Sequence, residues 1–162
     1  MQRVARAGLR IAIAMAAIVA IAVVAVPAAA ATAQQVTIVS NVTFNPDGPN
    51  FGDFTASGPA VDQGLMCPTG DFVDTGIKFA GFQSRTGHVQ LLVTKLFTCD
   101  DGSGTFAVKL QINANFETGI ESFAWVAQGT SGEVGSLRGA GTGSTVPTDT
   151  GNINTYVGTV AG

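Results

Sequence analysis

The sequence predicts an all-β protein, a closed or nearly closed antiparallel barrel of about eight strands that follows an N-terminal signal-peptide helix; a β-sandwich is the alternative. Three observations lead to this fold class. No stretch after residue 33 keeps the 3.6-residue apolar period of a helix over three turns. Short runs of β-branched and aromatic residues recur along that part of the chain. These runs are bounded by clusters of Gly, Pro, Asn or Asp, the residues that favour turns.

Residues 1–33 have the three parts of a secretory signal peptide. Three arginines and no acid stand in the first ten residues, followed by sixteen uncharged residues from Ile11 and then by Pro27. The triplet Ala-Thr-Ala before Gln34 has the small side chains that a signal peptidase requires. The sequence therefore predicts a secreted, extracellular protein with a single domain, residues 34–162.

An uncleaved membrane anchor is the alternative for the leader, because its apolar part is about long enough to span a bilayer. The proline and the alanine-rich end favour cleavage. Cleavage leaves 129 residues with five basic and eleven acidic side chains, a net charge of −6. This balance disfavours binding to nucleic acid or to an anionic membrane, both of which require a basic surface.

Cys67 and Cys99 are the only cysteines of the chain. An exported chain meets an oxidising environment, where two such thiols usually pair. Their spacing lacks the C-x-x-C pattern of redox-active pairs. We therefore predict a structural disulfide, which stabilises the fold by roughly 3 to 4 kcal/mol in the chain-entropy estimate.

The first three predicted strands are residues 36–44, 51–57 and 71–82. The first, VTIVSNVTF, is rich in β-branched residues and ends at the turn sequence NPDG. The second stops at a Gly-Pro pair, and a turn-rich stretch around CPTG leads into the third. A further turn is predicted at residues 84–87.

The clearest element is a hairpin formed by residues 88–99 and 105–116 around the polar loop DDGSG. Apolar residues alternate along both arms, which predicts one buried and one solvated face. The two apolar sets must share a face, so opposed residues should have numbers that sum to an odd value near 205, for example Val93 with Ile112. The same alternation places Lys95 on the buried face.

The last three predicted strands are residues 120–128, 137–145 and 152–160, with a loop over 129–136. The second of them, LRGAGTGST, has glycines at alternate positions from 139 to 143, all on one face. Glycine weakens a strand unless the backbone bends or another group approaches closely. This pattern is typical of a strongly coiled barrel strand.

The C-terminal glycine pattern consists of GxxG at 129–132, LRGxGTG at 137–143 and TYxGxV at 155–160. From residue 129 onward it resembles the signature of the allene oxide cyclase and dirigent barrels. A second likeness, to small secreted proteins of actinobacteria, extends back through FTCDDGSGTF at 97–106 and spans most of the mature chain. The resemblance implies a barrel fold and no activity, because none of the cyclase's catalytic residues can be placed on this sequence.

Few side chains are candidates for catalysis or metal binding. His88, the only histidine, opens a strand beside a turn, where a solvated side chain is expected rather than a catalytic one. Asp100 and Asp101 carry oxygens of the kind that bind calcium, but the segment lacks the EF-hand spacing, and a hairpin loop explains both residues. We predict no metal and no cofactor.

Two carboxylate pairs have the residue type of a glycosidase site. Asp71 and Asp74 are three residues apart on a strand, so their side chains should point to opposite faces. Glu117 and Glu121 share a face only if the chain does not turn between them. Neither pair supports a prediction of a catalytic residue.

Lys95 is the one candidate ligand-binding residue. A buried amine costs several kcal/mol unless it is paired, and a desolvated lysine can act as a nucleophile or as a ligand anchor. The alternative, which the sequence favours, is that Lys95 lies near the barrel mouth and its amine reaches water.

We expect a binding or interaction module that takes a small apolar ligand in the barrel mouth or contacts a partner through its surface, since barrels of about eight strands have room for one small molecule. The alternative is an isomerase-like or cyclase-like enzyme that uses the same cavity. An inward-facing acid within hydrogen-bond reach of Lys95 would favour the enzyme.

The leader generates the first testable prediction. Mass spectrometry of the culture supernatant should find a mature protein that begins at Gln34, because the Ala-Thr-Ala triplet directs cleavage there. A chain retained in the membrane with its N-terminal arginines still attached would contradict the prediction.

Overall fold

The structure, a computed structural model, describes residues 32–83, 87–115 and 120–162. Eight antiparallel strands form one closed barrel, in which each strand pairs with the next along the chain and the last pairs with the first. The strands are β1 (Gln34–Thr43), β2 (Phe51–Ser57), β3 (Thr69–Gln83), β4 (His88–Cys99), β5 (Gly104–Asn115), β6 (Ile120–Gly132), β7 (Arg138–Pro147) and β8 (Gly151–Ala161). The predicted barrel is confirmed, and the sandwich alternative is excluded.

Helical structure is limited to two short segments in the described part of the chain, α1 (Pro59–Asp62) and a 3₁₀ helix (Glu133–Ser136). Within residues 32–83, 87–115 and 120–162, no helix has the length and hydropathy needed to cross a membrane. The predicted turn at 84–87 and the end of the second hairpin arm lie largely outside the described residues.

Strand β6 runs further than predicted, since it continues to Gly132 through half of the segment expected to be a loop. Ser131 and Gly132 pair with Thr105 and Gly104 of β5, next to a register shift between Thr105 and Phe106. Gly132 then takes a positive φ of 69°, a conformation that favours glycine, and the 3₁₀ helix begins directly after it. The sequence pattern missed this extension because serine and glycine are weak strand signals.

The β4–β5 hairpin has the predicted parity, with both apolar sets on the inner face. The predicted pairing of Val93 with Ile112 is wrong by two residues of β5, because Val93 lies opposite Leu110. The hairpin turn is centred earlier than expected: the Gly102 amide donates to the Cys99 carbonyl at 3.3 Å, and β5 begins at Gly104. A turn centre one residue earlier changes the opposed partner by two positions and leaves the face unchanged.

The barrel end that holds the β2–β3 and β6–β7 connections is closed by apolar side chains. Ala60 of α1, Met66, Val134 and Leu137 are buried there. The predicted disulfide is confirmed: Cys67, in the connection before β3, is bonded to Cys99 at the end of β4, and their Cα atoms are 5.8 Å apart. The bond links this connection to the barrel wall.

Aromatic side chains fill the middle of the barrel. Phe97 lies at their centre, with ring centroids 4.9 Å from Phe106 and 6.3 Å from Tyr156. The buried set is Phe54, Phe72, Phe97, Phe106, Phe123, Trp125 and Tyr156. Edge-to-face and stacked contacts of this kind add stability beyond the area that the rings bury.

The glycines of β7 and β8 make room for these rings. A Cβ atom at Gly141 would lie 2.8 Å from Trp125 Nε1, and one at Gly158 would lie 2.6 Å from Trp125 Cζ2. The indole itself is held by a 3.1 Å hydrogen bond from Nε1 to the Thr142 carbonyl oxygen. The alternating glycines therefore allow large side chains to lie close to the backbone. Of the two reasons for glycine in a strand, a backbone bend or a close approach, this structure shows the second.

This packing generates a stability prediction. Gly141→Ala should lower the free energy of unfolding by about 1–3 kcal/mol, because the added methyl group would clash with the Val157 backbone carbonyl oxygen and overpack the contact with Trp125. Gly76→Ala is the matched control: Gly76 also lies in a strand, but a Cβ atom there meets nothing within 4 Å, so its effect should stay within about 0.5 kcal/mol. Urea denaturation measures both, and equal effects of the two substitutions would contradict the close-packing explanation.

Candidate functional site

The barrel wall is uneven at the end opposite the disulfide, which we call the mouth. Pairing between β2 and β3 ends at Phe51 and Val73, whereas β3 continues to Gln83 alongside β4. We call residues 75–83 the β3 extension. Two register shifts, at Thr75 and Ala80, interrupt its pairing with β4. Among the described residues, no strand pairs with the other edge of the extension.

Asp74 is the first β3 residue beyond its pairing with β2, and it lies directly opposite Lys95 of β4. The two side chains form an ion pair with Lys95 Nζ 2.6 Å from Asp74 Oδ1, and each side chain is only 4% exposed. The Lys95 amine also lies 4.3 Å from the centroid of the Phe72 ring, within the range of a cation–π contact. Both charged groups are thus enclosed in the barrel wall and interior.

Asn50, at the end of the β1–β2 connection, covers this ion pair. The Asn50 side-chain amide donates a hydrogen bond to Asp74 Oδ2 at 3.1 Å. The backbone carbonyl oxygen of Asn50 accepts one from the backbone amide of Asp74 at 2.8 Å. The Asn45 amide in turn donates to Asn50 Oδ1 at 3.1 Å. The connection between β1 and β2 therefore acts as a cap over Asp74.

Lys95 faces the barrel interior, as its place in the alternating pattern predicted. The expectation that the Lys95 amine reaches water is wrong, because the amine donates a hydrogen bond to Asp74 inside the protein. Burial lowers the pKa of Lys95 below 10.5, and the charge and hydrogen bond of Asp74 oppose this effect only in part. Asp71 and Asp74 differ in exposure as predicted, with Asp71 exposed and Asp74 buried; Glu117 lies outside the described residues.

A second cluster of polar side chains lines the interior where β1 pairs with β8. We call Ser40, Asn152, Asn154 and Tyr156 the β1–β8 cluster. Ser40 is opposed to Asn154, and Tyr156 and Asn152 lie on the same face one alternation to either side. Thr145 of β7 donates to Asn154 Oδ1 at 2.8 Å.

The hydroxyl of Tyr156 is buried among other polar side chains of this cluster. Burial raises the pKa of Tyr156 to about 12, and the neighbouring Ser40 and Asn154 oppose the rise. Ser40 and Asn154 lie close enough to the hydroxyl to act on its pKa through hydrogen bonds, although neither contact has good hydrogen-bond geometry. Tyr156 therefore keeps its proton at all physiological pH values.

The inner face of the β3 extension is apolar and exposed. Ile77 and Phe79 lie opposite Val93 and Leu91 of β4, so all four share the lumen side of the sheet. Ile77 is nevertheless 51% exposed and Phe79 is 78% exposed. These two residues form an apolar rim at the mouth.

The remaining candidates from the sequence lie elsewhere. His88 is exposed at the start of β4, as expected. Asp101 Oδ1 accepts a 2.8 Å hydrogen bond from the Ser103 amide, an arrangement of a tight turn. Across residues 32–83, 87–115 and 120–162, no three His, Cys, Asp or Glu side chains are grouped so that they could hold a metal ion.

Comparison with known proteins leaves the geometry as the basis for a functional argument. No protein-family model, no curated protein and no solved structure matches the chain. The resemblance to allene oxide cyclase and dirigent barrels stays a prediction.

Sequence reasoning found Lys95 and missed the polar residues that surround it. Ser40 stands in the apolar alternation of β1, between Ile38 and Val42, and this break in the pattern was the available signal. Asn154 and Tyr156 alternate in the same way on β8. Asp74 was weighed only as a partner of Asp71, because the β3–β4 register was not known.

The ion pair generates a second stability prediction. Lys95→Met should lower the free energy of unfolding by about 3–5 kcal/mol, because it leaves the Asp74 carboxylate buried without its partner. The double substitution Lys95→Met/Asp74→Asn should recover most of this loss, since both charges are then absent. The exposed Lys109→Met is the control and should change stability by less than about 0.5 kcal/mol. A Lys95→Met protein as stable as the wild type in urea would rule out the buried pair.

Tyr156 is the only tyrosine, so its phenolate absorbance reports on this one residue. The folded protein should titrate near pH 12, and the denatured chain near the ordinary value of about 10. Between these values the unfolded chain has lost the proton and the folded protein has kept it. Stability should therefore fall as pH rises from 10 to 12, by up to roughly 3 kcal/mol, and Tyr156→Phe should remove this part of the pH dependence. Titration of the folded protein near pH 10 would contradict the buried hydroxyl.

Proposed function

We propose that this chain is an exported binding protein that takes a small apolar molecule at the mouth of its barrel. The observation that carries the proposal is the apolar rim. Ile77 and Phe79 face the lumen side and are exposed, although residues of this kind on the inner face of a barrel are usually covered. Exposed apolar side chains grouped on one face are typical of an interaction or ligand site.

The position of the ligand follows from what fills the rest of the barrel. The aromatic rings around Phe97 occupy the middle, and apolar side chains near the disulfide close the far end. Among the described residues, Ile77 and Phe79 at the mouth are the exposed large apolar side chains on the lumen side of the strands. A small molecule there would lie against Ile77 and Phe79, with Leu91 and Ile112 half-buried beside them on the same face.

Export is part of the proposal. The predicted signal peptide supports it, and so does the bond between Cys67 and Cys99, because disulfides persist in oxidising compartments and are rare in the cytosol. The acidic balance of the mature chain argues against nucleic acid as the partner.

An isomerase-like or cyclase-like enzyme is the second candidate, and the contact between Asp74 and Lys95 favours it. This is the inward-facing acid within hydrogen-bond reach of Lys95 that such an enzyme requires. Proton transfer to a substrate also requires that the substrate touch one of the two groups. Because both side chains are enclosed and Asn50 covers Asp74, binding is the function that the geometry supports better.

A neutral fluorescent dye, N-phenyl-1-naphthylamine, tests the binding proposal. The wild-type protein should bind the dye with enhanced fluorescence. The double variant Ile77→Ser/Phe79→Ser should bind it at least about tenfold more weakly, because it loses roughly 1.4 kcal/mol or more of apolar contact.

The control removes two apolar residues of similar exposure from the outer face, as Val126→Ser/Val157→Ser. This variant should bind the dye as the wild type does. The proposal fails if the dye does not bind, or if the outer-face variant loses as much affinity as the mouth variant.

A further inference from the structure

The buried ion pair of Lys95 and Asp74 has a third member, the side-chain amide of Asn50. Lys95 Nζ lies 2.6 Å from Asp74 Oδ1, and Asn50 Nδ2 donates to Asp74 Oδ2 at 3.1 Å. One carboxylate thus holds an amine on one oxygen and a carboxamide on the other. A new amide bond can form from these two groups, and the shared carboxylate keeps them beside each other.

Lys95 has the surroundings that make a lysine amine reactive. Its side chain is 4% exposed, and the amine lies 4.3 Å from the centroid of the Phe72 ring. Burial lowers the pKa of Lys95, although the charge and the hydrogen bond of Asp74 oppose this effect. A lowered pKa eases the release of the proton, and the neutral amine is the form that attacks a carbonyl carbon.

Asn50 has the surroundings of an activated carbonyl group. Its side-chain oxygen Oδ1 accepts a hydrogen bond from the backbone amide of Asn45 at 3.1 Å. Such a donor stabilises the negative charge that develops on the oxygen when a nucleophile adds to the carbonyl carbon. The backbone carbonyl of Asn50 also accepts from the Asp74 amide at 2.8 Å, which fixes the β1–β2 connection over the carboxylate. The carboxamide is therefore both polarised and held in place.

The enclosure that keeps an outside substrate away from the ion pair does not apply to Asn50, because this residue already contacts Asp74. With the side chains of Lys95 and Asp74 each only 4% exposed, little water reaches them to compete with the amine. A purely structural ion pair requires neither a carboxamide on its second oxygen nor a hydrogen bond to the carbonyl of that carboxamide. The three groups together have the composition of a reaction site.

We propose that Lys95 and Asn50 join in an intramolecular amide bond, with Asp74 as the catalytic acid and base. Asp74 takes a proton from Lys95 Nζ, and the neutral amine adds to Asn50 Cγ. The electron pair of the C=O bond moves to Oδ1, where the Asn45 amide stabilises it. Asp74 gives its proton to Asn50 Nδ2 and takes a second one from Nζ. The carbonyl then re-forms, the Cγ–Nδ2 bond breaks, ammonia leaves, and Asp74 keeps the last proton.

The bond ties the β1–β2 connection to β4 near the mouth. The disulfide of Cys67 and Cys99 ties the β2–β3 connection to the opposite end of the same strand. The barrel thus has two cross-links, of which only the disulfide yields to a reductant. The stability effects given above for Lys95→Met apply to the chain before the amide bond forms.

Mass spectrometry of the reduced and denatured protein tests the bond. The wild-type chain should be lighter than its sequence by about 17 Da, the mass of the ammonia that leaves. A tryptic digest should contain a branched peptide in which Asn50 is joined to Lys95, and trypsin should no longer cut after Lys95. Cyclisation of an N-terminal glutamine at Gln34 also releases ammonia, so the branched peptide and the comparison with variants decide the result.

Two variants are matched to the wild type. Lys95→Arg keeps a positive charge beside Asp74, but a guanidinium group does not lose its proton. Asn50→Ala removes the carboxamide and leaves the ion pair. Both keep the N-terminal glutamine, so each should lie about 17 Da closer to its sequence mass than the wild type does. The reduced wild type should also migrate faster than both variants in a denaturing gel, because a loop of its denatured chain stays closed.

The wild-type digest gives a result even where a variant fails to fold. A digest that contains the peptide cut after Lys95 and no branched peptide overturns the inference. A loss of about 18 Da with Lys95 joined to Asp74 also overturns it, because the Asp74 carboxyl would then be the electrophile and water the leaving group. Neither result affects the binding proposed at the mouth, which rests on Ile77 and Phe79.

Discussion

Seven large rings must fit inside a barrel of eight strands, and most of the architecture follows from the volume that they need. The rings come from β2 through β6 and from β8, whereas β7 contributes glycines to the same interior. Trp125 and Phe123 of β6 reach across to the backbone at Gly141 and Gly143. An ordinary side chain at either glycine would displace a ring, and the rings are packed against one another, so the interior accepts little change in volume.

The same packing divides the barrel into two halves with different chemistry. Near the disulfide, the interior is apolar and the connections fold over the barrel end. Toward the mouth, polar side chains enter the interior: the amine of Lys95, the hydroxyl of Ser40 and the amide of Asn154. Polar burial costs free energy that apolar burial does not. The well-packed half and the cross-link offset that cost.

The position of Asp74 shows how the length of a neighbouring strand determines which polar groups meet. Because β2 begins at Phe51, opposite Val73, Asp74 has no strand partner on that side. Asn50 instead forms hydrogen bonds with the backbone and the side chain of Asp74. Strand β4 continues unbroken, so Lys95 remains opposite Asp74. A carboxylate and an amine are thus held together by an edge of the sheet rather than by a loop.

The barrel, the positions of most strands and the disulfide could be predicted from the sequence, because alternation and turn residues are local signals and the chain has only two cysteines. Lys95 was placed on the inner face for the same reason. Its partner could not be predicted, since the pairing of Asp74 with Lys95 depends on two bulges in β3 that leave no mark in the apolar pattern. The β1–β8 cluster was also beyond reach, because the closure of the barrel joins residues from opposite ends of the chain.

The bulges at Thr75 and Ala80 have a consequence for how copies of the protein meet one another. A long strand with a free edge and apolar side chains is a template on which further strands can add, the first step of sheet-like aggregation. In the β3 extension, each extra residue disturbs the regular spacing of amides and carbonyls, and Lys78 adds a charge between the two interruptions. The exposed apolar rim can therefore coexist with a sheet edge that resists the addition of further strands.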